Sequence, residues 1–423
     1  MKKTLAIILA LMLSLASVSF SLAETVEPTP LTWWCISSQS DFYNARAAAW
    51  NEQNPDRPIA LETVDMAGSD RQTKLLVALQ TGEGAPDYCD VNITAFGTFF
   101  DYEEIPFLTL TDLVADERDV YVQAKLDIYS TGGELYGAPS QLGGTVVYYN
   151  TDITEAAGVD IDSIVTWDDY VAAGKQVLEK TGKPMTVIET TDMAPFQAMV
   201  LQKGSDFLDA EGNVILDCET NIELLEYLKS WMDEGIAIPM PGGGNASEIF
   251  FNNSGAASVI LPMWYMSRLT EYMPDLSGKI AVRPMPVWDP EDTEAYTTAC
   301  TGGNGAVITN QCESPELAKD FLYFCKMSYD AQVQCYEMLG YAPYRTDAWE
   351  DPALQIELPY FCNENVFKNV SESLKKANAI HNFALVPEAF NAVSSNVMYN
   401  VFETKTQTPA EALTEAAEAL RNY

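Results

Sequence analysis

Short apolar runs of strand character alternate along the chain with longer stretches of helical period. LTWWCIS (31–37) predicts a strand, and from Ser40 the apolar residues Phe42, Ala45, Ala49 and Trp50 recur at helical spacing until Asn54-Pro55. IALETVDM predicts a second strand. SDRQTKLLVALQTG predicts a helix opened by Ser69 and closed by Gly82, and PDYCDVN a third strand. This alternation argues for a largely parallel sheet covered by helices. The pattern restarts at TVVYYN (145–150), an unbroken β-branched and aromatic run, followed by the short acidic helix TDITEAAG. TWDDYVAAGKQVLEKTGKP predicts a helix with a T-x-x-D opening, its apolar residues Trp167, Tyr170, Val171, Gly174, Val177 and Leu178 on one face. MTVIET predicts a strand, and Thr220 with Glu223 opens a helix that buries Leu224, Leu225, Leu228 and Trp231. GAASVILPMW and KIAVRPMP predict strands. GAVITN leads into SPELAKDFLYF, with Ser314 as N-cap and Pro315 at the first helical position, and the last eighty residues read as mostly helical.

A chain of 423 residues is too long for one comfortable core, so two domains are expected. No internal repeat and no Ser/Gly-rich linker separates them, which suggests lobes joined by several ordered crossings. Residues 1–23 carry Lys2 and Lys3, an apolar run and a small-residue end, the pattern of a secretory signal peptide rather than a membrane span. The mature chain is therefore expected to be exported and soluble. Cys35 lies inside a predicted buried strand with no small residue before it, so a lipid-anchor cysteine is not expected. The formal charge of −37, falling to −39 without Lys2 and Lys3, argues against nucleic-acid binding. Eight cysteines in an exported protein permit disulfides, with Cys300–Cys312 and Cys325–Cys335 as candidate pairs. Cys325 also falls on an apolar helix face with Leu317, Phe321 and Phe324, where a free buried thiol is at home.

The chemistry-bearing motifs of enzymes are sparse. His381 is the single histidine, no G-x-S-x-G elbow accompanies it, and a structural or ligand-contact role is expected for it. H-E-x-x-H, C-x-x-C and the P-loop are absent, so neither metal nor cofactor is expected. PGGGNAS and TGGNGA read as tight turns. Glycoside hydrolysis stays open because it needs only two placed carboxylates among 61 acidic residues. Most aromatics are expected in the core. Trp264 in SVILPMWYM is the exception, since it stands where a strand end meets a helix start, the place where open α/β sheets bind ligands.

Several ordered segments share a further likeness: LTWW, LQTGEGAPDYCDVN, GELYGAPSQLGGTVVYYNTDITEAAGVD with TWDDYVAAGKQV, SGAASVILPMWYM, PMPVWD with TGGNGAVITN, and SPELAKDFLYF. In this order they resemble the extracellular solute-binding proteins of family 1, the maltose-binding-protein-like sugar-binding subunits of ABC importers. The resemblance covers essentially the whole mature chain. It implies a two-lobed α/β fold of the type II periplasmic-binding-protein kind, with mixed sheets covered by helices and a ligand cleft between the lobes. By the family's topology one lobe comprises residues 24–141 and 299–342, and the other 142–298 and 343–423. The resemblance further implies a carbohydrate ligand, no catalysis, hinge closure, delivery to membrane permease subunits, and a monomer. Two other readings remain, an exported glycoside hydrolase and a sugar-sensing surface receptor.

Carried over residue by residue, the resemblance makes Trp264 the sugar-stacking residue. Ser38 and Gln39 follow the first strand into the cleft, and Asn92 and Thr94 follow the third. Gln141 stands in the first crossing, and Gly303 and Asn304 in the return crossing. Asn382 and Phe383 are candidates from the C-terminal region. For each polar residue except Gln141, a turn or cap role competes with ligand contact.

Overall fold

The computed structural model describes residues 26–241 and 246–423; the predicted signal peptide and Gly242–Asn245 of PGGGNAS lie outside the described residues. Strands are numbered here β1 (Thr29–Cys35), β2 (Ile59–Asp65), β3 (Tyr88–Asn92), β4 (Ala138–Pro139), β5 (Thr145–Asn150) and β6 (Thr186–Glu189). They continue as β7 (Ala237–Met240), β8 (Ser258–Pro262), β9 (Ile280–Pro284), β10 (Thr298–Ala299), β11 (Asn304–Ile308) and β12 (Ala377–Asn378).

The first sheet has the order β2-β1-β3-β11-β4. β1 runs parallel to β2 and β3, whereas β11 lies antiparallel to β3 with Asn304 opposite Asn92 and Ile308 opposite Tyr88. β1 alternates, burying Leu31, Trp33 and Cys35. The Trp33 ring stacks on Tyr43 at 3.9 Å and on Tyr88 at 4.6 Å between centroids, with Phe321 edge-on at 6.4 Å. These aromatic contacts draw helix Ser37–Gln53, β3 and helix Pro315–Leu322 onto one strand.

β5 is buried at all six positions, as its unbroken apolar run requires of a central strand covered on both faces. It pairs antiparallel with both β8 and β9, Tyr148 standing opposite Val259 and Val282. The expectation of a largely parallel sheet is corrected on this point: the first sheet is mixed and the second antiparallel. Alternation of strand and helix does not distinguish a crossover to the next strand from a return to the opposite edge, and β8, β9 and β11 all return. Helix Trp167–Thr181 packs Trp167 and Tyr170 against Trp231 at 5.7 and 5.2 Å, and the Trp167 Nε1–H donates to Gln202 Oε1 at 2.9 Å.

Several helix boundaries follow their local signals. Thr166 accepts from the Asp169 N–H while the Asp169 carboxylate accepts from Thr166, completing the capping box. Gly158 closes helix Thr151–Ala157 at φ 69°, a left-handed conformation that costs glycine little. Three starts differ from expectation. The helix expected from Ser69 begins at Gly68, with Ala67 at the cap position and no side-chain cap. The helix expected from Ser40 begins at Ser37, with Ile36 at the cap position and no side-chain cap; burial of Gln39, Phe42 and Tyr43 fixes it. The helix expected from Thr220 begins at Glu219 after Cys218, because buried Asn221 is anchored by its amide to the Asp206 carbonyl at 2.9 Å. Ser314 precedes helix Pro315–Leu322 without a side-chain cap bond. All eight cysteines are free, so neither candidate disulfide is formed. Among the described residues no helix is long and apolar enough to cross a membrane.

The sheets are joined where residues 140–144 lead from β4 to β5 and residues 300–303 lead from β10 to β11. Gly144 bridges Cys300, Thr301 N–H donates to the Gly143 carbonyl at 3.1 Å, and Leu142 N–H donates to the Ala342 carbonyl at 2.8 Å. Three chain segments thus run side by side between the sheets. Thr166→Ala should lower stability by about 1 kcal/mol in a denaturant melt through loss of the cap.

Candidate ligand-binding cleft

Strand β8 ends at Pro262, which cannot donate to a ladder, and Met263 N–H turns to the Gly144 carbonyl at 3.0 Å. Helix Tyr265–Tyr272 starts immediately afterwards, leaving Trp264 at its cap position. Buried Tyr265 anchors the turn, its ring 6.0 Å from that of Trp264 and nearly perpendicular at 78°. Arg268, one turn on, lies over the Trp264 ring with its guanidinium carbon 5.8 Å from the centroid.

Trp264 faces a cavity of about 370 Å³. Thr94, Thr301 and Gly302 line it from the side of the first sheet and the crossing. Glu189, Ser247, Glu248 and Arg268 line it from the other side. The Trp264 Nε1–H and the Gln197 amide nitrogen have no protein partner. A buried donor left unpaired inside a cavity is expensive unless something else accepts from it.

The acidic side of the cavity is graded. Burial pushes the Glu189 carboxyl above its ordinary range, Asp192 and Glu248 push in the same direction, and a hydrogen bond from the Ser247 hydroxyl opposes them. Glu248 is paired with Arg268 at 3.0 Å. The site therefore offers carboxylate acceptors, a guanidinium and indole donor, and a flat aromatic face. Among the described residues no group of three or more His, Cys, Asp or Glu is placed to hold a metal.

Of the residues singled out in the sequence, Trp264 and Thr94 line this cavity. Asn92 stands behind Thr94 as its cap, accepting from Thr94 N–H at 2.9 Å and Thr94 Oγ1 at 2.8 Å. Gly303, at φ 106°, and Asn304 follow Gly302 in the chain but do not line the cavity, and Asn304 Oδ1 accepts from Arg71 at 3.3 Å. Gln141 is buried beside Gly303 with its Oε1 unpartnered. Gln39 is buried away from the cavity, accepting from the Tyr43 hydroxyl at 2.5 Å, and Ser38 is exposed. Asn382 donates to the Ile128 carbonyl at 2.8 Å, and the Phe383 carbonyl packs on Gly97; neither lines the cavity. His381 is tied to the Asp206 carboxylate at 3.2 Å.

Sequence reasoning missed Glu189, Asp192, Gln197, Ser247, Glu248 and Arg268. Arg268 was within reach, four residues after Trp264 on the same helical face. Glu189 closes β6 as Trp264 follows β8, so the strand-end rule extends to it. Nothing local marks Ser247 or Glu248.

Two sheets joined by hydrogen-bonded crossings, with a polar and aromatic cavity against the crossing, are the architecture of a two-lobed binding protein. Residues 37–326 match the bacterial extracellular solute-binding protein family, and the chain belongs to it. It is 40% identical over 401 residues to the arabinooligosaccharide-binding protein of Halalkalibacterium halodurans, covering 93% of this chain and 89% of that one. The arabinooligosaccharide-binding protein of Bacillus subtilis is 38% identical, with 93% and 92% covered. The GacH receptor of Streptomyces glaucescens superposes with a TM-score of 0.77 at 19% identity, covering 94% of this chain and 98% of that chain. An ABC-transporter-associated binding protein of B. animalis subsp. lactis, solved with β-1,6-galactobiose, gives 0.76 at 19% identity, with 94% and 98% covered. The fold is the two-lobed type II periplasmic-binding-protein fold.

The raised Glu189 carboxyl has a stability signature. A carboxyl whose folded pKa exceeds its unfolded value destabilises the fold increasingly as pH rises from about 4 through the folded value. Glu189→Gln should therefore unfold at higher denaturant than the wild type at pH 7, with the difference vanishing near pH 4.

Proposed function

We propose that this chain is the extracytoplasmic receptor of an ABC importer and captures an oligosaccharide of the arabinose type in the cavity at Trp264. The observation that carries the reading is the composition of that cavity. A tryptophan face is set beside carboxylates and a guanidinium, and opposite Thr94 and Thr301. Sugar rings present C–H faces to aromatic planes and hydroxyls to charged acceptors and donors, and charge-assisted hydrogen bonds are the stronger kind. The two relatives near 40% identity, both arabinooligosaccharide-binding proteins, support the arabinose class.

In this reading residues 24–141 with 299–342 form one lobe and 142–298 with 343–423 the other, and the lobes close about the crossings. Ligand contacts come from Trp264 and Thr94, with Gln141, Gly303 and Asn304 supporting the cavity floor. The loaded monomer docks on membrane permease subunits. Residues 1–23 direct export. The receptor binds without turnover. The clustered carboxylates favour a hydrolase as the second reading. Against it, the matching family is one of solute-binding proteins and both relatives near 40% identity are binding proteins.

The test is a thermal melt of the mature chain against linear arabino-oligosaccharides, lactose and galactobiose, with product analysis of the same mixtures. Arabino-oligosaccharides should raise the melting temperature, by the equivalent of about 2.7 kcal/mol at a hundredfold excess over Kd, and should be recovered intact. Released arabinose would support the hydrolase. A shift with lactose alone would move the ligand class. Trp264→Ala should weaken binding of the best ligand roughly tenfold to a hundredfold, read by calorimetry.

A further inference from the structure

Glu248 and Arg268 line the Trp264 cavity on one side and a second, more open cavity of about 400 Å³ on the other. Their ion pair is thus the partition between two chambers. The second chamber is walled by Ile249 and Asn252 from helix Ala246–Asn252, and by Tyr272 and Met273 at the end of helix Tyr265–Tyr272. Ile249 and Tyr272 are 58% and 57% exposed, which leaves their apolar faces open to a ligand in the chamber. Asn252 keeps its Oδ1 enclosed without a hydrogen-bond partner.

We infer that the second chamber holds the outer units of an oligosaccharide whose inner units occupy the cavity at Trp264, so that the protein selects for chain length. The inference rests on the carbohydrate reading above and adds an extension subsite to it. The inner cavity is small, about 370 Å³ against roughly 300–1,000 Å³ for ligand pockets in general. A longer chain needs a way out, and the shared wall is made of side chains. Arg268 is 46% and Glu248 18% exposed along the side chain, so the pair is partly solvated and parting it costs less than parting a buried pair. Once parted, Arg268 donates and Glu248 accepts at the hydroxyls of the linking unit. Tyr272 supplies a second aromatic plane for the C–H face of an outer ring, and Asn252 an unused acceptor for its hydroxyls.

Titration calorimetry of the full mature chain with linear arabino-oligosaccharides from two to six units tests this. Wild-type affinity should rise with length, and Tyr272→Ala should cost about tenfold for the five- and six-unit ligands while leaving the two-unit ligand unchanged. Asn252→Ala should show the same length-selective loss. Unaltered melting curves of both ligand-free variants would establish that folding is intact. Affinity independent of length, or equal loss for short and long ligands in both variants, would overturn the inference while the carbohydrate reading stands. Binding of no arabino-oligosaccharide of any length would overturn both.

Discussion

Hydrogen bonds between residues 143–145 and 298–301 hold the two faces of the cleft in register, and the remaining geometry depends on them. Thr145 is buried at the junction. Its Oγ1 meets Thr301 Oγ1 at 2.9 Å and donates to the Ala299 carbonyl at 3.0 Å, while the Thr298 hydroxyl donates to the Thr145 carbonyl at 2.6 Å. Gly143, Gly302 and Gly303 turn here at φ of 72°, 68° and 106°, which a residue with a Cβ would adopt only under strain. The same backbone that links the sheets also presents Thr301 and Gly302 to the cavity. One stretch of backbone thus serves both as link between the sheets and as cavity wall.

Within the cavity the charges are arranged for a neutral, hydroxyl-rich ligand. Three carboxylates stand near one guanidinium, and burial raises Glu189, which has only the Ser247 hydroxyl as compensation. A carboxylate in that condition gains more from each donated hydroxyl than it would in water, because the protein has already removed its hydration. Trp264 adds an indole N–H with nothing to accept it. Aromatic plane and unpaired polar groups thus converge on one volume, which a core tryptophan such as Trp33, surrounded by rings and donating to Asp90 at 3.1 Å, does not offer.

Legibility in the sequence followed the range of the interaction. TVVYYN, the Thr166 capping box, the Gly158 terminus and the strand-end position of Trp264 are all encoded within a few residues, and the structure reproduces them. The start of helix Ser37–Gln53 and the direction of the second sheet depend on packing against distant segments, so serine at position 40 and simple strand–helix alternation misled. The carboxylates of the cleft were lost among 61 acidic residues because only the fold brings positions 189, 192 and 248 together. Asn92 shows the intermediate case: its place beside the cleft was legible, but its amide is spent on positioning Thr94.

The eight unpaired thiols have a consequence for where and how this chain can fold. Five are buried, and burial holds the Cys300 thiol at about 11 and those of Cys325 and Cys335 at about 12, far from the ionised form that attacks a disulfide. No covalent cross-link closes a loop, so the native state needs neither an oxidant to form nor an isomerase to correct it. Its stability therefore draws on packing and hydrogen bonds rather than on a covalent cross-link. For a chain meant to work outside the cytoplasm, folding is thereby uncoupled from the redox chemistry of its surroundings.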